Sequence, residues 1–557
     1  MTDTLHAKLI PTKNDFWFLP LGGSNEIGMN LNLFGYNEQW LIVDLGITFH
    51  DRLGVDVITP DPSFLIQHKD HIAGLVLTHA HEDHVGAIPY LWPYLRCPIY
   101  ATPFTMRIVR QKIADKPWKN DVVLIEIPLS GAFKVGDFDI EYVTLTHSIL
   151  EPNALRIETP HGVVLHSGDW KIDPDPMIGE ATDIKRLKEI GDKGVLALIC
   201  DSTNVFNHGV AGSEKDVRDE LLKLMGTFPE NRVTVACFAS NVARLETAAK
   251  VAAAHGRQVA LVGRSLHRMV AAAKDSGYLK DLPPFISDVD AMRLPDHKVC
   301  FIATGSQGEA RAALARIAGD QHPVVKFADN DVVLFSSRMI PGNEKNISAL
   351  QNRLIHNGVR IVTSSEEDIH VSGHPARDEL RQMYEWVRPD VLIPVHGEAR
   401  HLDEHARFAL ECGVDTAVVP ENGSLIRLKK DDTCEIDLIP TGRWVFDGNR
   451  MIDMKSIVLK DRHNLSTEGL LVATVVIDNV GQILQAPQLT FKGLCDSDAE
   501  KEALSREIYL SLRETLERGY RSNDDRLETL KAVIRKAVHR YLMKKPVVDV
   551  HIIVAEM

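Results

Sequence analysis

Histidines and carboxylates are concentrated in one short stretch, Thr78-His79-Ala80-His81-Glu82-Asp83-His84. The apolar run before it, Ile72 to Leu77, predicts a buried strand, and Val85 to Leu91 predicts the start of a helix. Imidazole and carboxylate groups together suit zinc or manganese. With further carboxylates they can hold two ions, the arrangement that activates water against a phosphodiester or an amide. The stretch therefore predicts a hydrolytic metal centre on a strand-to-helix turn; the alternative is a polar loop rich in histidine.

Other groups able to bind metal come directly after predicted strands. Asp44 ends one apolar strand and is either a partner that orients the metal-binding turn or a simple strand-end cap. His147 and Asp169 follow two more strands, and on their residue types alone each is as consistent with an ordinary loop residue as with a ligand. Asp201 ends a further strand. Strand ends of this kind predict a layered α/β sheet with polar groups along one rim.

Residues 210–350 alternate short apolar strands with helices, which predicts a separate domain with a parallel sheet. Ser213 is the predicted N-cap of its first helix. Phe238-Ala239-Ser240-Asn241 and the similar segment 303–309 each end a strand and precede a helix, where backbone N–H groups can bind phosphate. A simple N-cap serine is an equally good explanation of both segments.

The chain after residue 350 returns to histidine-containing motifs. His370-Val371-Ser372-Gly373-His374-Pro375 follows one predicted strand, and His396 ends another. A connector follows, with a further strand predicted at Ser456 to Leu459. The remaining chain, to residue 557, predicts a small α+β domain whose second helix, Asp525 to Met543, is basic.

Composition excludes several classes of protein. The 557 residues include seven scattered cysteines without a C-x-x-C pair, which argues against a disulfide framework or a thiolate zinc site. No apolar run approaches the roughly 20 residues that span a bilayer, and the N-terminus lacks a signal-peptide core, so we expect a cytoplasmic protein without a membrane partner. The net charge of −14 argues against nonspecific coating of nucleic acid. A nuclease of this charge would need a local stripe of basic residues.

In this order, the motifs resemble those of the metallo-β-lactamase superfamily and, within its β-CASP branch, the bacterial ribonuclease J family. The resemblance covers essentially the whole chain and is carried by the segments LGGSNEIGMN, THAHEDHVGAIPYL, SGDWKIDPDP, CDSTN, FASNVAR, HVSGHP and VLKDRHNLSTEGLLVATVVID. It implies an α/β protein with an αββα metallo-β-lactamase sandwich (1–208 and 351–445) and an inserted α/β β-CASP domain (209–350). A linker (446–462) and a small C-terminal α+β domain (463–557) complete the expected organisation.

The resemblance also implies a role for each site residue. Two divalent ions are expected, zinc first, with manganese or magnesium as alternatives. The first would be held by His79, His81, His147 and Asp169, and the second by Asp83, His84, Asp169 and His396. Asp83, Asp201 and His374 would act in catalysis, with His374 protonating the leaving 3′ oxygen or stabilising the charge on phosphorus. A phosphate pocket would be formed by Ser240, Arg338, His370, Ser372, Gly373 and His374.

The implied activity is hydrolysis of single-stranded RNA, both 5′→3′ from the end and internally, with a preference for 5′-monophosphate. The expected setting is RNA maturation and decay, including processing of ribosomal RNA and decay of messenger RNA. RNA would enter between the two α/β domains, and the C-terminal domain would form dimers or tetramers. Three alternatives stay open: a DNA-directed or tRNA-processing relative, a small-molecule hydrolase such as a thioesterase, and a noncatalytic RNA-binding scaffold. The last would be expected to lack metal ligands, and none is missing here.

Overall fold

The computed structural model describes residues 9–49, 54–55, 57–448, 450–517 and 523–555. Its contacts divide the chain into two units, Met1–Thr48 with Ile58–Gly442, and Phe49–Val57 with Arg443–Met557. Within the described residues, no helix combines the length and apolar character that a bilayer crossing requires.

Two β-sheets packed face to face form the centre of the first unit. Large apolar side chains of the first sheet, such as Phe18 and Phe34, share one buried cluster with Tyr142, Leu155 and Ile393 of the second. The strands of the first sheet, in spatial order, are Cys434–Leu438, Ser424–Arg427, Trp17–Gly22, Leu31–Tyr36, Gln39–Val43, Ile72–Val76, Ile99–Ala101 and Leu124–Glu126. Those of the second are Thr416–Ala417, Pro389–Val395, Val195–Asp201, Gly162–His166, Asn153–Thr159, Phe138–Thr144 and Ala132–Val135.

Helices cover the outer faces of both sheets. Phe64 packs edge-on against Trp40 of the first sheet, with ring centroids 5.3 Å apart. On the second sheet, Leu198 shares a buried cluster with Leu187 and Phe408 of the covering helices. The helices beside the first sheet are Ser63–Gln67, Glu82–Val85, Ile88–Leu95 and Pro103–Ile113, and those on the second are Ile184–Lys193, Arg377–Val387 and Ala399–Glu411. The arrangement is the predicted αββα sandwich.

Parallel pairing brings the functional strand ends to one edge. Asp201 lies opposite Val395 in the register of two parallel strands, so His396 emerges beside Asp201. In the first sheet, Val43 lies opposite Val76, which places Asp44 beside the start of the histidine-rich turn. The predicted rim of polar groups is therefore present.

A third sheet of five strands, all parallel, lies in the chain segment after Asp201. Its strands, in spatial order, are Gln258–Val262, Val299–Ala303, Val233–Ala236, Val332–Phe335 and Arg360–Thr363. Its helices are Glu214–Gly226, Val242–Ala254, Arg264–Asp275, Asp288–Ala291, Ala313–Ala318 and Glu344–His356. Ser213 caps the first helix by accepting from the Lys215 N–H, as predicted. The sheet continues past residue 350, where the sequence analysis ended the insert, because Arg360–Thr363 is its fifth strand.

A buried arginine connects several segments of this layer. The Arg244 guanidinium, fully buried, forms an ion pair with Glu214 at 3.0 Å. It also donates to the carbonyl and hydroxyl oxygens of Ser336 and to the carbonyl of Ile369. Burial would raise the pKa of Glu214, but Arg244 outweighs burial and lowers it. The charge pair therefore holds together the segments that precede Arg338 and His370.

Arg244→Ala is expected to destabilise the protein by about 3–5 kcal/mol, because it leaves the Glu214 carboxylate buried without its partner. Denaturant unfolding, monitored through hydrogen exchange of the strand Val332–Phe335, measures the loss of stability. The double variant with Glu214→Ala should lose less than the sum of the two single variants. A loss below about 1 kcal/mol for Arg244→Ala would contradict this account of the pair.

The second unit contains a hairpin and a small α+β layer. The hairpin strands are Arg443–Asp447 and Arg450–Asp453. Two further short strands, Thr48–Phe49 and Val57–Pro60, lie where the chain passes between the two units. The central strand Leu470–Ile477 pairs antiparallel with Gln488–Lys492 and parallel with Val547–Val554. The helices Asp498–Leu516 and Asn523–Leu542 bury apolar side chains against this sheet.

The prediction of a strand at Ser456 to Leu459 is wrong. Ser456 instead caps the helix Ile457–Glu468, since its side chain accepts from the Val458 N–H. The run Ile457-Val458-Leu459 suggested a strand through its β-branched residues, yet within it only Leu459 is buried. The segment 446–462 assigned as a linker thus holds parts of the hairpin and the first turns of this helix.

Candidate dinuclear metal centre

Three overlapping groups of side chains converge at the edge of the two central sheets. In each group the candidate ligand atoms all lie within 4.8 Å of one another, and Asp169 belongs to all three. The groups are His79, His81, His147 and Asp169; Asp83, His84, Asp169 and His396; and Asp169, Asp201, His374 and His396. The first two have the same members as the two expected metal sites. Their assignment as ligands stays a prediction.

Hydrogen bonds to Asp44 fix the histidine-rich turn. One Asp44 carboxylate oxygen accepts from the Thr78 N–H, and the other accepts from the Thr78 hydroxyl, both at 2.8 Å. The second oxygen also accepts from His84 Nδ1 at 2.7 Å. This bond leaves His84 Nε2 without a proton whenever the imidazole is neutral, and directs it toward Asp169.

The nitrogen atoms of the first group face one another. His147 Nδ1 donates to the Gly373 carbonyl at 2.5 Å, so its Nε2 carries the lone pair. This Nε2 lies 3.0 Å from His81 Nδ1, which lies 3.1 Å from His79 Nε2. Burial lowers the pKa of His79 and His147 well below the ordinary value and that of His81 to about 4. Neutral imidazoles with converging lone pairs fit a divalent cation between them.

The second group combines imidazole and carboxylate. His396 Nε2 lies 3.2 Å from Asp83, and His84 Nε2 lies 3.2 Å from Asp169. Burial would lower the pKa of His84 and His396, but the carboxylates, Asp169 first, outweigh burial and raise it well above the ordinary value. The carboxylates of this group therefore favour a bound cation, and the mixed nitrogen and oxygen donors suit zinc or manganese.

Two residues of this centre have left-handed backbones. Asp44 has φ of +64° and His396 has φ of +53°. Outside glycine, this region is sparsely populated and is found disproportionately at functional sites. At both positions the conformation lies at the end of a strand, where the side chain turns toward the shared edge.

Asp44→Asn is expected to weaken metal binding or activity by about 10- to 100-fold. An amide can donate to His84 Nδ1, which would move the imidazole proton to Nε2 and remove the lone pair that faces Asp169. Competition for zinc against a chelator of known affinity measures the change. Asp139→Asn, on an exposed part of a strand in the same unit, is the matched control. Equal zinc affinity for wild type and Asp44→Asn would contradict the orienting role.

Asp201 and His374 form a pair beside the centre. His374 Nδ1 donates to Asp201 at 2.7 Å. The other Asp201 oxygen accepts from the backbone N–H and the hydroxyl of Thr203 at 2.9 and 2.7 Å. Burial would lower the pKa of His374, but Asp201 outweighs burial and raises it. Asp201 therefore favours the doubly protonated form of the His374 imidazole.

The proposed phosphate pocket gathers around Asn204 and the histidine-containing motif. The Asn204 amide donates to the Ser372 hydroxyl and the His374 carbonyl, and it accepts from Arg338 at 3.3 Å. Glycine at position 373 allows a close approach to His147, since a Cβ there would lie 2.7 Å from the Ser148 hydroxyl and 2.8 Å from the His147 ring.

His370 and Ser240 complete the predicted pocket residues. Among the described residues, the buried Nδ1 of His370 has no hydrogen-bond partner, and burial lowers the pKa of this imidazole to about 3. Asn241, not Ser240, caps the helix Val242–Ala254 by accepting from the Arg244 N–H. The alternative of Ser240 as a simple N-cap is therefore wrong. The role of Ser240 in binding phosphate stays a prediction.

Four polar side chains that position the site were not predicted from the sequence. The Asn30 amide lies 3.0 Å from His84 Nε2 and donates to the Asp83 carbonyl. Thr78 bonds Asp44, and Thr203 and Asn204 support Asp201 and His374. The only signal for them was their place next to, or just after, a singled-out motif. Which neighbour each one bonds depends on contacts between distant parts of the chain.

Four family models match consecutive parts of the chain. They are the beta-lactamase superfamily domain (residues 39–185), the ribonuclease J beta-CASP domain (230–354), the Zn-dependent metallo-hydrolase RNA specificity domain (358–420) and the ribonuclease J C-terminal domain (457–555). They establish a metallo-β-lactamase domain, a β-CASP insert and a C-terminal domain. They also indicate divalent metal binding and an RNA substrate.

Curated relatives match over nearly the whole chain. Ribonuclease J of Sinorhizobium meliloti is 42% identical over 545 residues, 96% of each chain. Ribonuclease J 1 of Streptococcus pyogenes is 33% identical over 539 residues, again 96% of each chain. A solved Enterococcus faecalis protein of unknown function shares the fold, with a TM-score of 0.54 and 18% identity over 74% of this chain and 100% of that one. The chain therefore belongs to the ribonuclease J family of the metallo-β-lactamase superfamily.

Proposed function

We propose that this metal-dependent ribonuclease hydrolyses single-stranded RNA 5′→3′ from a 5′-monophosphate end and also cleaves it internally, in RNA maturation and decay. The observation that carries the proposal is the convergence of three groups of ligand atoms on Asp169, beside the His374–Asp201 pair. We further propose two divalent ions for each chain, zinc first, with manganese or magnesium as alternatives. Association through the C-terminal domain into dimers or tetramers stays part of the proposal.

The expected ions would be held by the first two groups described above. When bound, two divalent ions lower the pKa of a water molecule and neutralise charge on a phosphate. Asp83 and Asp169 hold the ring nitrogens of His84 and His396 in place where the ions would bind. The residues present fit this task, because their donors converge and their charge is negative.

His374 would act on the leaving group. Asp201 holds its Nδ1 proton, so the opposite nitrogen, Nε2, can carry a second proton toward the reacting phosphate. A hydroxide ion forms the new P–O bond, and the scissile P–O3′ bond breaks as the His374 proton passes to the departing 3′ oxygen, which leaves as a hydroxyl. The downstream RNA keeps a 5′ phosphate and becomes the next substrate.

The 5′ phosphate would be bound by the segment around Ser372. Its hydroxyl, the Arg338 guanidinium and His370 Nδ1, which has no partner among the residues that the structure describes, offer donors that suit a terminal phosphate dianion. Because Arg338 is tied to Asn204, and Asn204 to the His374 carbonyl, the pocket and the catalytic pair are positioned together. A 5′ triphosphate adds bulk and charge that this small group of donors does not match.

RNA with a 5′ monophosphate is expected to be degraded from its end about tenfold faster than the same RNA with a 5′ triphosphate, since charge-assisted hydrogen bonds contribute about 1.5–3 kcal/mol. Release of labelled mononucleotides measures the exonuclease rate. A circular RNA, which has no 5′ end, is the control for internal cleavage. Ser372→Ala should reduce the preference without reducing cleavage of the circle to the same extent. Equal exonuclease rates on the two linear RNAs would contradict recognition of the 5′ end.

A further inference from the structure

An exposed aromatic side chain, Phe206, lies on the loop that leaves the candidate centre after Asp201. It is 43% exposed, and the loop before it contains Thr203 and Asn204, which support Asp201 and His374. Five residues of chain span at most about 18 Å, so the ring stays within reach of a strand that occupies the centre. Neither the metal groups nor the phosphate pocket uses this side chain.

The Phe206 ring is held in place from two sides. The buried imidazole of His401 packs edge-on against it, with ring centroids 5.2 Å apart. The Arg400 guanidinium carbon lies 5.4 Å from the ring centroid. Both residues belong to the first turn of the helix Ala399–Glu411, which begins shortly after His396.

The backbone on either side of Phe206 is also fixed. Arg377 donates from its side chain to the Val205 carbonyl at 2.9 Å and from its backbone N–H to the Asn207 carbonyl at 3.0 Å. The ring is therefore exposed but held in one position. A ligand can stack on it without further ordering of this side chain.

An exposed phenylalanine beside an arginine is a combination that recognises single-stranded nucleic acid. Unstacked bases pack on aromatic rings and on guanidinium planes, and this contact tolerates every base. The guanidinium can also bind a phosphate oxygen. The charged neighbours Arg400 and Glu398, 3.3 Å apart, make the surroundings polar, which favours a nucleotide over the apolar surface of a protein partner.

We propose that Phe206 stacks on one base of the RNA strand bound at the centre, and that Arg400 binds the adjoining phosphate. This inference rests on the proposed function, because it adds a base-binding subsite to the same RNA path. The subsite takes any single-stranded base and leaves the chemical step to the residues described above. It supplies an aromatic stacking surface and the Arg400 guanidinium, which is also ion-paired with Glu398, to a protein whose net charge is −14.

An abasic scan tests the stacking contact. In a 5′-monophosphorylated RNA of uniform sequence, each base near the 5′ end is removed in turn, and kcat and KM are measured for wild type and Phe206→Leu. In the wild type, removal of one particular base should raise KM about tenfold. In Phe206→Leu, the KM of the intact RNA should be raised by a similar factor, and removal of that base should have no further effect. Leucine keeps the apolar contact with His401 but has no aromatic face.

Two further variants make the result specific. Phe206→Tyr should retain the wild-type KM, since it keeps the ring. Tyr94→Ala removes a similarly exposed aromatic side chain, 42% exposed, from the helix Ile88–Leu95 and should leave every KM unchanged. If all variants match the wild type at every abasic position, the ring serves another partner, such as a protein, and the inference is wrong. A wild type that fails to hydrolyse intact RNA would instead overturn the proposed function.

The salt dependence of RNA binding tests the role of Arg400. Arg400→Gln should weaken binding of all RNA sequences alike and reduce the slope of log affinity against log salt by about one, because one phosphate contact is lost. Phe206→Leu should weaken binding without changing that slope. An unchanged slope for Arg400→Gln would overturn the assignment of Arg400 to a phosphate.

Discussion

Asp169→Asn is expected to lower the rate of RNA hydrolysis by about a thousandfold or more. The Asp169 carboxylate belongs to all three groups of ligand atoms and is buried. Burial would raise its pKa, but His396 and His84 outweigh burial and lower it well below the ordinary value, so it is ionised. Asparagine removes that charge at nearly constant volume. Metal ions contribute several kcal/mol to such reactions, and each 1.36 kcal/mol is a factor of ten in rate.

Single-turnover hydrolysis of 5′-monophosphorylated RNA measures this effect, and bound metal is counted on the same samples. Asp139→Asn, an exposed aspartate of the same unit, is the control and should retain both activity and metal. A thermal melt near that of the wild type shows that the fold is kept. Hydrolysis by Asp169→Asn at the wild-type rate would contradict the assignment of this carboxylate to both metal sites.

His374→Ala is expected to lower hydrolysis of ordinary RNA by about a thousandfold, because a positioned general acid contributes about 10²- to 10⁴-fold. The test uses RNA in which sulfur replaces the leaving 3′ oxygen at one bond. A thiol ionises near pH 8.5, so sulfur leaves without a proton. The defect of His374→Ala should shrink to a small factor on this substrate. An equal defect on both substrates would show that His374 does not protonate the leaving group.

Asp201→Asn should change the pH dependence in a definite direction. Asp201 raises the pKa of His374 above 6.5, so the protonated acid persists to higher pH and is lost as pH rises through that pKa. Without the negative charge the pKa of His374 falls. The high-pH limb of the rate profile should then move to lower pH in the variant. A limb that stays in place would mean that another group controls it.

Much of this site could be predicted because most of its candidate ligands lie in short sequence motifs. The turn from His79 to His84 contains four candidate ligands in six residues, and the strands that precede Asp169 and Asp201 are strongly apolar. A layered α/β sheet followed from the same pattern, and the αββα arrangement followed from the resemblance to a known family. A resemblance to a known family was needed to join His396 to Asp83, which is 313 residues away.

Other features depend on contacts that periodicity does not encode. Asn204 connects Arg338, Ser372 and His374 through one amide group, although the four residues come from three distant segments. Arg360–Thr363 lies beyond residue 350, the predicted end of the insert, but it pairs with the inserted sheet. The helix that begins at Ile457 was misassigned, because three apolar residues in a row satisfy a strand as well as a helix.

Hydrolysis of RNA by this protein is proposed to require two bound divalent ions. The most direct test is to strip the purified protein with a chelator, add back zinc or manganese in steps, and measure bound metal and release of labelled mononucleotides at each step. Activity should rise only as the second equivalent of metal binds and should reach its maximum at two equivalents per chain. Full activity in the metal-free protein, or maximal activity at one equivalent, would contradict this requirement.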